Sequence, residues 1–290
     1  MDIDNLKTFL TLARLGHMTR AAKELHLTQP AVSAQLQKIE EALGQRLFDR
    51  TPKGMVLTEA GELWRTHVER ALADLQSGQR ALDEMLGLEK GALSIGGGAT
   101  ATTYLLPRHL GAFHARHPGI QLFVREQGSQ IVLESVLGGE LELGIVTLPM
   151  GQSPRHVHVE TWIEDELRLI VPRTHALFGK RSFAWEQLEG QDLVLFEAGS
   201  AVRELIDGHL QRANIHTQTV MELRSIESIK QMVQEGIGAA FVSRFALAHS
   251  EHALTPEHDP ILRTLALIWR TDRTLSVAAS AFLDTLLERE

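Results

Sequence analysis

Between Thr19 and Arg50 the chain reads TRAAKELHLTQPAVSAQLQKIEEALGQRLFDR, and this stretch limits the possible folds most tightly. Two apolar patterns of helical period meet here across a very short break. Met18 to Leu25 is a short helical run with Thr19 in its first turn and Ala21, Ala22 and Leu25 on one side. After His26-Leu27, Thr28 is placed to cap a second helix by accepting from an otherwise orphan N–H. Pro30 falls where no intrahelical donor is needed. Val32, Leu36, Ile39 and Leu43 then recur on one face, with Pro30, Ala34, Gln37, Lys38 and Glu41 opposite and Ser33 at the flank. A solvated helix pair would also show this pattern. The other reading is a second helix that enters a major groove, where amides and small hydroxyls can meet base edges.

The residues after the pair favour the second reading. Gly44 stops the helix, and Leu47-Phe48-Asp49-Arg50 and Met55-Val56-Leu57 flank Thr51-Pro52-Lys53-Gly54. This is a short hairpin, or wing, with Arg50 and Lys53 near its tip, suited to phosphates or a minor groove. AAKELHLTQPAVSAQLQKIEEALGQRLFDR followed by LTEAG resembles the winged helix-turn-helix of the LysR-type transcriptional regulators. By this reading Thr28, Gln29, Pro30, Ser33, Gln37, Arg50 and Lys53 form the contact face for double-stranded DNA. Where several family members carry a basic side chain in the second helix, this chain has Ala34.

The charge balance agrees once it is divided. Over 290 residues the formal charge is −8, yet residues 1–58 carry eight Lys/Arg against six Asp/Glu, and the remainder 21 against 31. An acidic remainder repels phosphate, so indiscriminate coating of nucleic acid is not expected. No cysteine is present, which excludes disulfides, thiolate metal sites and a cysteine nucleophile. The acidic, amphipathic start is no signal peptide, and no apolar run reaches the ~18 residues of a membrane span. A cytoplasmic protein without membrane contact is expected.

Before the pair, Asp4 to Leu15 is a first helix with Leu6, Phe9, Leu10 and Ala13 inward. After the wing, Thr58 caps a long helix to about Leu86. Leu72, Leu75, Gln79, Leu82 and Leu86 follow a 3-4-3-4 spacing, extended backward by Trp64 and Val68; this predicts a coiled-coil seam with Gln79 as a polar register position. Ser77-Gly78 is a weak spot. The alternative is a helix packed on its own domain. Gly87-Leu88-Glu89-Lys90-Gly91 reads as a hinge.

Beyond it, strands and helices alternate. Strands are predicted at Leu93–Ile95, Ile120–Arg125, Leu143–Val146, Leu167–Val171, Leu193–Phe196, Thr219–Leu223, Ala239–Ser243 and Leu265–Trp269. Helices are predicted at Tyr104–His117, Ile131–Leu137, Val202–Ala213, Ile226–Glu235 and Leu275–Leu287. This means an α/β arrangement with mainly parallel sheets, in two half-size sets. LSIGGGATATTYLLPRHLGAFHARHPGIQLFVREQGS and LGGELELGIV resemble the family's effector domain, whose fold is that of periplasmic solute-binding proteins; Glu142 stands where the family often has Asp. The resemblance implies a chain crossing between lobes near Trp162–Glu166 and returning near Leu262–Leu267. The expected architecture is therefore multidomain. A winged helix-turn-helix (1–58, mainly α) is followed by a linker and dimerisation helix with hinge (59–90). A two-lobed α/β effector domain (91–290) completes it, lobe one spanning 91–163 and 267–290 and lobe two 164–266.

Gly96-Gly97-Gly98-Ala99-Thr100-Ala101 matches G-x-G-x-x-A, so an enzyme using a dinucleotide is the alternative function. Pro107 speaks against it, because a helix from Ala99 would bury a proline in its interior, whereas one from near Thr103 keeps it in the first turns. The main reading is a polar turn at a cleft mouth. Thr100, Thr102, Thr103, Ser129, Thr147 and Ser200 lie at strand ends or helix starts, with Arg203 on the helix after Ser200. Helix-start N–H groups, hydroxyls and an arginine suit a small, anionic effector; convergence from both lobes is implied by the fold resemblance. His114 with His117 and His156 with His158 lack a ligand pattern, and no serine has a base, so no metal, cofactor or catalysis is expected. The resemblance further implies a homodimer or homotetramer and contact with RNA polymerase.

Overall fold

The computed structural model describes residues 2–52, 54–84, 91–150, 155–248 and 252–288, with 76, 77 and 79–84 described by backbone alone. Two compact units form, Met1–Arg80 and Ala81–Glu290.

In the first unit, α1 (Ile3–Leu15), α2 (Met18–Glu24) and α3 (Gln29–Leu43) pack around Phe9, Leu12, Ala21, Leu36 and Ile39. The Asp2 carboxylate caps α1 by accepting from Asn5 N, and Gly16 ends it in the left-handed conformation. The wing is the antiparallel pair β1 (Phe48–Thr51) and β2 (Gly54–Leu57), in register from Phe48↔Leu57 to Thr51↔Gly54. Two bonds dock it. Glu40 Oε1 accepts from Leu47 N at 2.7 Å, and Met55 N donates to Gly16 O at 2.7 Å. Leu47, Phe48 and the Phe9 ring, 5.5 Å from that of Phe48, carry the apolar side of the joint.

Thr58 caps α4 (Glu59–Glu84): its Oγ1 accepts from Gly61 N at 3.0 Å and donates to Arg46 O at 2.8 Å. The predicted seam divides along this helix. Val68 is buried in the core of its own unit, and Trp64 and Leu72 pack against that core, so they do not extend a free seam. Leu75 stays 54% exposed, and Leu63, which the seam omitted, 66%. The side chains of Gln79 and Leu82, and residues Leu86 to Lys90 with most of the predicted hinge, lie outside the described residues.

The second unit begins with β3 (Gly91–Gly97). A π-helical turn, Thr100–Leu105, leads directly into α5 (Leu106–Arg116), followed by β4 (Ile120–Glu126), α6 (Ser129–Gly138) and β5 (Leu143–Leu148). β6 (Val157–Ile170), β7 (Ser182–Phe183), β8 (Asp192–Phe196), α7 (Ala201–Arg212), β9 (Gln218–Leu223) and α8 (Ile226–Gln234) come next. The chain ends with β10 (Ala240–Ser243), β11 (Thr255–Pro256), β12 (Ile261–Arg270) and α9 (Val277–Leu287). Six strands form one sheet in the order β10-β6-β12-β5-β3-β4; β3 runs parallel to β4 and β5, while β12 is antiparallel to β5 and β6, and β6 to β10. The expectation of mainly parallel sheets therefore fails at the centre. A strand that leaves one lobe and a strand that returns to it must run in opposite directions when they pair.

Those two strands build the lobes. The first half of β6 and the second half of β12 complete lobe one, whose core holds Leu93, Ile95, Phe113, Ile145, Leu267 and Phe282. Their other halves enter lobe two, where β8 pairs with β9 and meets Ala239 through a parallel bridge from Leu193. Its core is Leu169, Phe183, Leu193, Ile206, Ile229 and Phe241. The Tyr104 hydroxyl of the π-helical turn donates to Glu227 on α8, whose other partner, Lys230, donates to Ala246 O at 2.8 Å.

Two outcomes are expected from this packing. A Cβ at Gly61 would lie 2.1 Å from Leu47 O. Gly61→Ala should thus destabilise the first unit by about 1–3 kcal/mol, read as faster amide exchange in peptides from residues 3–57; unchanged exchange would contradict the docking. The Tyr104 hydroxyl, and then Lys230, hold the Glu227 carboxyl below the usual carboxylate range. A depressed folded value means stability that is present at neutral pH and lost as pH falls through it. Glu227→Gln should lower the melting temperature at pH 7, with the difference shrinking as pH falls below the ordinary carboxylate range.

Candidate functional site

The exposed start of α3 and the wing form one surface. Thr28 is the N-cap, its Oγ1 accepting from Ala31 N at 3.4 Å. Gln29 and Pro30 are exposed and Ser33 is half-buried. A recess of about 580 Å³ brings Gln29 and Ser33 together with Arg50, Thr51 and Gly54 of the wing and with Thr19 and Arg20 of α2. Gln37 lies outside it, exposed one turn further along and donating to Glu41 Oε1 at 2.7 Å. Lys53 is outside the described residues. The sequence reading missed Thr19 and Arg20 as members of this surface, although a basic residue opening the helix before the turn was the available signal. Among the described residues neither Arg20 nor Arg50 makes an ion pair, so both guanidinium groups face solvent with their charge uncompensated.

The wing's approach depends on backbone that no side chain could occupy. Gly54 has φ 127°, and a Cβ there would sit 2.3 Å from Gly16 O. The same contact joins the α1–α2 corner to β2, whose Met55 pairs with Arg50 and so holds it at the edge of the recess.

Between the lobes lies a cleft of about 510 Å³. Thr100, Glu126, Ser129 and Thr147 line it from lobe one, and Phe196, Glu197, Ser200, Val202 and Arg224 from lobe two. Leu167, Ser243, Arg263 and Leu265 contribute from β6, the end of β10 and β12. The starts of α6 and α7 thus open on one space, each with first-turn N–H groups that have no intrahelical partner. Four predicted residues, Thr100, Ser129, Thr147 and Ser200, come together here, and three do not. Thr102 and Thr103 sit on the π-helical turn away from the lining, Thr102 Oγ1 donating to Glu126 Oε2 at 3.0 Å. The helix starts earlier than the predicted Thr103. The π turn accommodates Pro107: Leu106 N reaches back to Ala101 O across the wider spacing, and the proline then falls in the first turn of α5.

Arg203 is the third. It turns back onto the sheet, donating to Phe196 O at 3.0 Å, Glu222 at 2.8 Å and Asp207 at 2.8 Å. Burial works against its charge, but Glu222 and Asp207 outweigh it and raise the guanidinium above its ordinary value. Several lining hydroxyls also hold structure: Ser129 Oγ accepts from Thr147 N, and Ser200 Oγ from Arg203 N.

The cleft's two arginines were missed. Arg224 is exposed and donates to Glu197, which raises it above its ordinary value. Arg263 is buried. Its Nε donates to Asp165 Oδ2 at 2.8 Å, and its Nη2, 2.7 Å from the same oxygen in the ion pair, donates to Thr100 Oγ1 at 2.7 Å. Asp165 Oδ1 accepts from Ser243 Oγ at 2.8 Å. Arg263, the single charged residue in LRTLALIW, was the available signal, whereas Asp165 in IEDELRL stands among Glu164, Glu166 and Arg168 and gave none.

The histidines pack as ordinary side chains: His117 tilts on Phe113, and His158 stacks on Trp269 and pairs with Glu160. Among the described residues no three metal-binding side chains cluster, and no helix is long and apolar enough to cross a membrane.

Comparison with known proteins identifies both parts of the chain. Residues 3–62 match the model of the bacterial regulatory helix-turn-helix protein, lysR family, and residues 86–290 that of the LysR substrate binding domain. The "Probable RuBisCO transcriptional regulator" of Trichormus variabilis is 35% identical over 295 residues, covering 98% of this chain and 87% of its own. The structure of full-length CbnR complexed with its target DNA shares the fold, with a TM-score of 0.73 at 21% identity, covering 99% of both chains. The regulatory domain of Synechocystis CcmR in complex with 2-PG is 27% identical, with a TM-score of 0.61 over 68% of this chain and 96% of that domain. This protein belongs to the LysR-type family of ligand-responsive, DNA-binding transcription regulators, and it is not an enzyme.

Proposed function

We propose that residues 1–58 bind an operator through the α3–wing recess and that the cleft within residues 91–290 binds a small anionic effector. Thr28, Gln29, Pro30, Ser33 and Gln37 meet bases or nearby phosphates, with Arg50, Arg20 and Lys53 on the backbone. Residues 59–90 pair two chains through the outer part of α4, where Leu75 is exposed beyond the unit's own core. A dimer would then meet half-sites about one helical turn apart, or a multiple of it, and two dimers could form a tetramer. The protein works in the cytoplasm and alters access or contact of RNA polymerase at the promoter.

The observation that carries the effector reading is the pair of helix starts, α6 and α7, facing one cleft from opposite lobes. Such termini favour negative charge. A neighbour solved with 2-PG supports the same chemistry and makes 2-PG the first probe. An effector acts only through different affinities for two lobe arrangements.

Capture of genomic fragments by the purified chain at physiological salt tests the DNA reading. A few sharp peaks with a two-fold symmetric element are expected, and RuBisCO genes are the first place to look, given the relatives' name. On such a fragment, Gln29→Ala should cost about 1–3 kcal/mol and relax one base position. Arg50→Ala should weaken all sequences alike and lower the salt slope by about one. Binding by both variants at the original strength would put the DNA face elsewhere.

A further inference from the structure

Asp165 and Arg263 are direct cross-strand partners on β6 and β12, the two strands that join the lobes. Their side chains are 0% and 3% exposed. Each holds a hydroxyl from a different lobe: Arg263 donates to Thr100 on the π-helical turn of lobe one, and Asp165 accepts from Ser243 at the end of β10 in lobe two. Arg263 nevertheless lines the cleft, as do Ser129 and Ser200 at the starts of α6 and α7. Its Nε and Nη2 are engaged, and among the described residues its Nη1 has no partner. A buried guanidinium with an unused donor at the edge of a cavity is a strong anion receptor, because a low-dielectric surround magnifies a charge-assisted bond. Arg224 is a weaker candidate, since it is exposed and already bound to Glu197.

We propose that Arg263 is the residue that binds the effector's acidic group, and that Asp165 is its internal competitor. This rests on the anionic-effector reading above. In the empty cleft the Asp165 carboxylate compensates the Arg263 charge. An incoming carboxylate or phosphate takes Nη1 and shares the guanidinium with Thr100 and Asp165, so the pair loosens. Because Asp165 and Arg263 tie β6 to β12 and reach Ser243 and Thr100, that loosening changes how the two lobes are held together. The effector is thereby read at the strands about which the lobes can turn, rather than only at the cleft rim. Glu126 and Glu197 at the rim disfavour a bare anion and admit one that also carries a hydroxyl or other donor.

The test uses full-length protein with 2-PG and inorganic phosphate as probes, affinity being measured by calorimetry and by the rise in melting temperature. Arg263→Met should abolish binding of whichever probe the wild type binds. Asp165→Asn, which keeps the shape but removes the competing charge, should bind that probe roughly tenfold more tightly. Opposite signs are the signature, since a merely structural pair would weaken binding when either partner is changed. Arg263→Lys, a charge without the fork, should bind more weakly than the wild type and serves if the methionine variant does not fold. Weaker binding by Asp165→Asn, or unchanged binding by the Arg263 variants, overturns this assignment while leaving the anionic cleft standing. Failure of both probes to bind the wild type overturns the anionic-cleft reading, and the assignment with it.

Discussion

The ion pair between Asp165 and Arg263 is the constraint on which the second unit depends. Two charges removed from water cost several kcal/mol each unless their remaining donors and acceptors are met. Here the compensation comes from four elements, two crossing strands, the π-helical turn and the end of β10. Loss of one partner of such a pair costs about 3–5 kcal/mol, because it leaves an unmatched buried charge. Hydrophobic residues of similar volume would hold the strands as well, and without that liability. A charged pair on the two strands that join the lobes is therefore better explained by switching than by stability. Other contacts cross between the lobes as well: the Tyr104 hydroxyl reaches Glu227 by a polar contact sensitive to protonation and competition, Ala99 and Tyr104 pack on the core of lobe two, and Phe245 packs on that of lobe one.

The first unit works by the opposite means. Its recess is set by close backbone approach, Gly54 against Gly16 and Gly61 against Leu47, and by a core shared among α1, α3, the wing and the start of α4. Arg50 and the exposed start of α3 are thus held at a fixed spacing, which a reader of base edges requires. The rigid reader and the polar-latched sensor belong to separate compact units.

The order and type of nearly every long element could be read from residues, because periodicity and caps agree with the fold: Thr28 and Thr58 cap as expected, and Val32, Leu36 and Ile39 face inward. The misreadings share a cause in long-range packing. Trp64 and Val68 look like a free seam from spacing alone, but the core they fill is assembled by α1 and the wing. The first half of β6 was passed over because His158, Glu160 and Glu164 interrupt its apolar residues, and pairing with β12 supplies the order that composition does not. Arg203 was chosen as the cleft cation for its place after Ser200. Glu222, on a strand nineteen residues later, pulls it away. Arg263 lies on the last strand, far in sequence from the helix starts that it joins at the cleft, so its single charge in an apolar run gave a signal but no partner.

If the cleft and the DNA surface are coupled, they must be coupled reciprocally: an anion that changes DNA affinity by a given factor has its own affinity changed by the same factor. The decisive measurement is the affinity of the full-length chain for its strongest captured genomic fragment, with and without saturating 2-PG, beside the affinity for 2-PG with and without that fragment. Two equal factors are predicted, both different from one. A factor of one in both directions, with 2-PG bound in the cleft, would contradict the coupling.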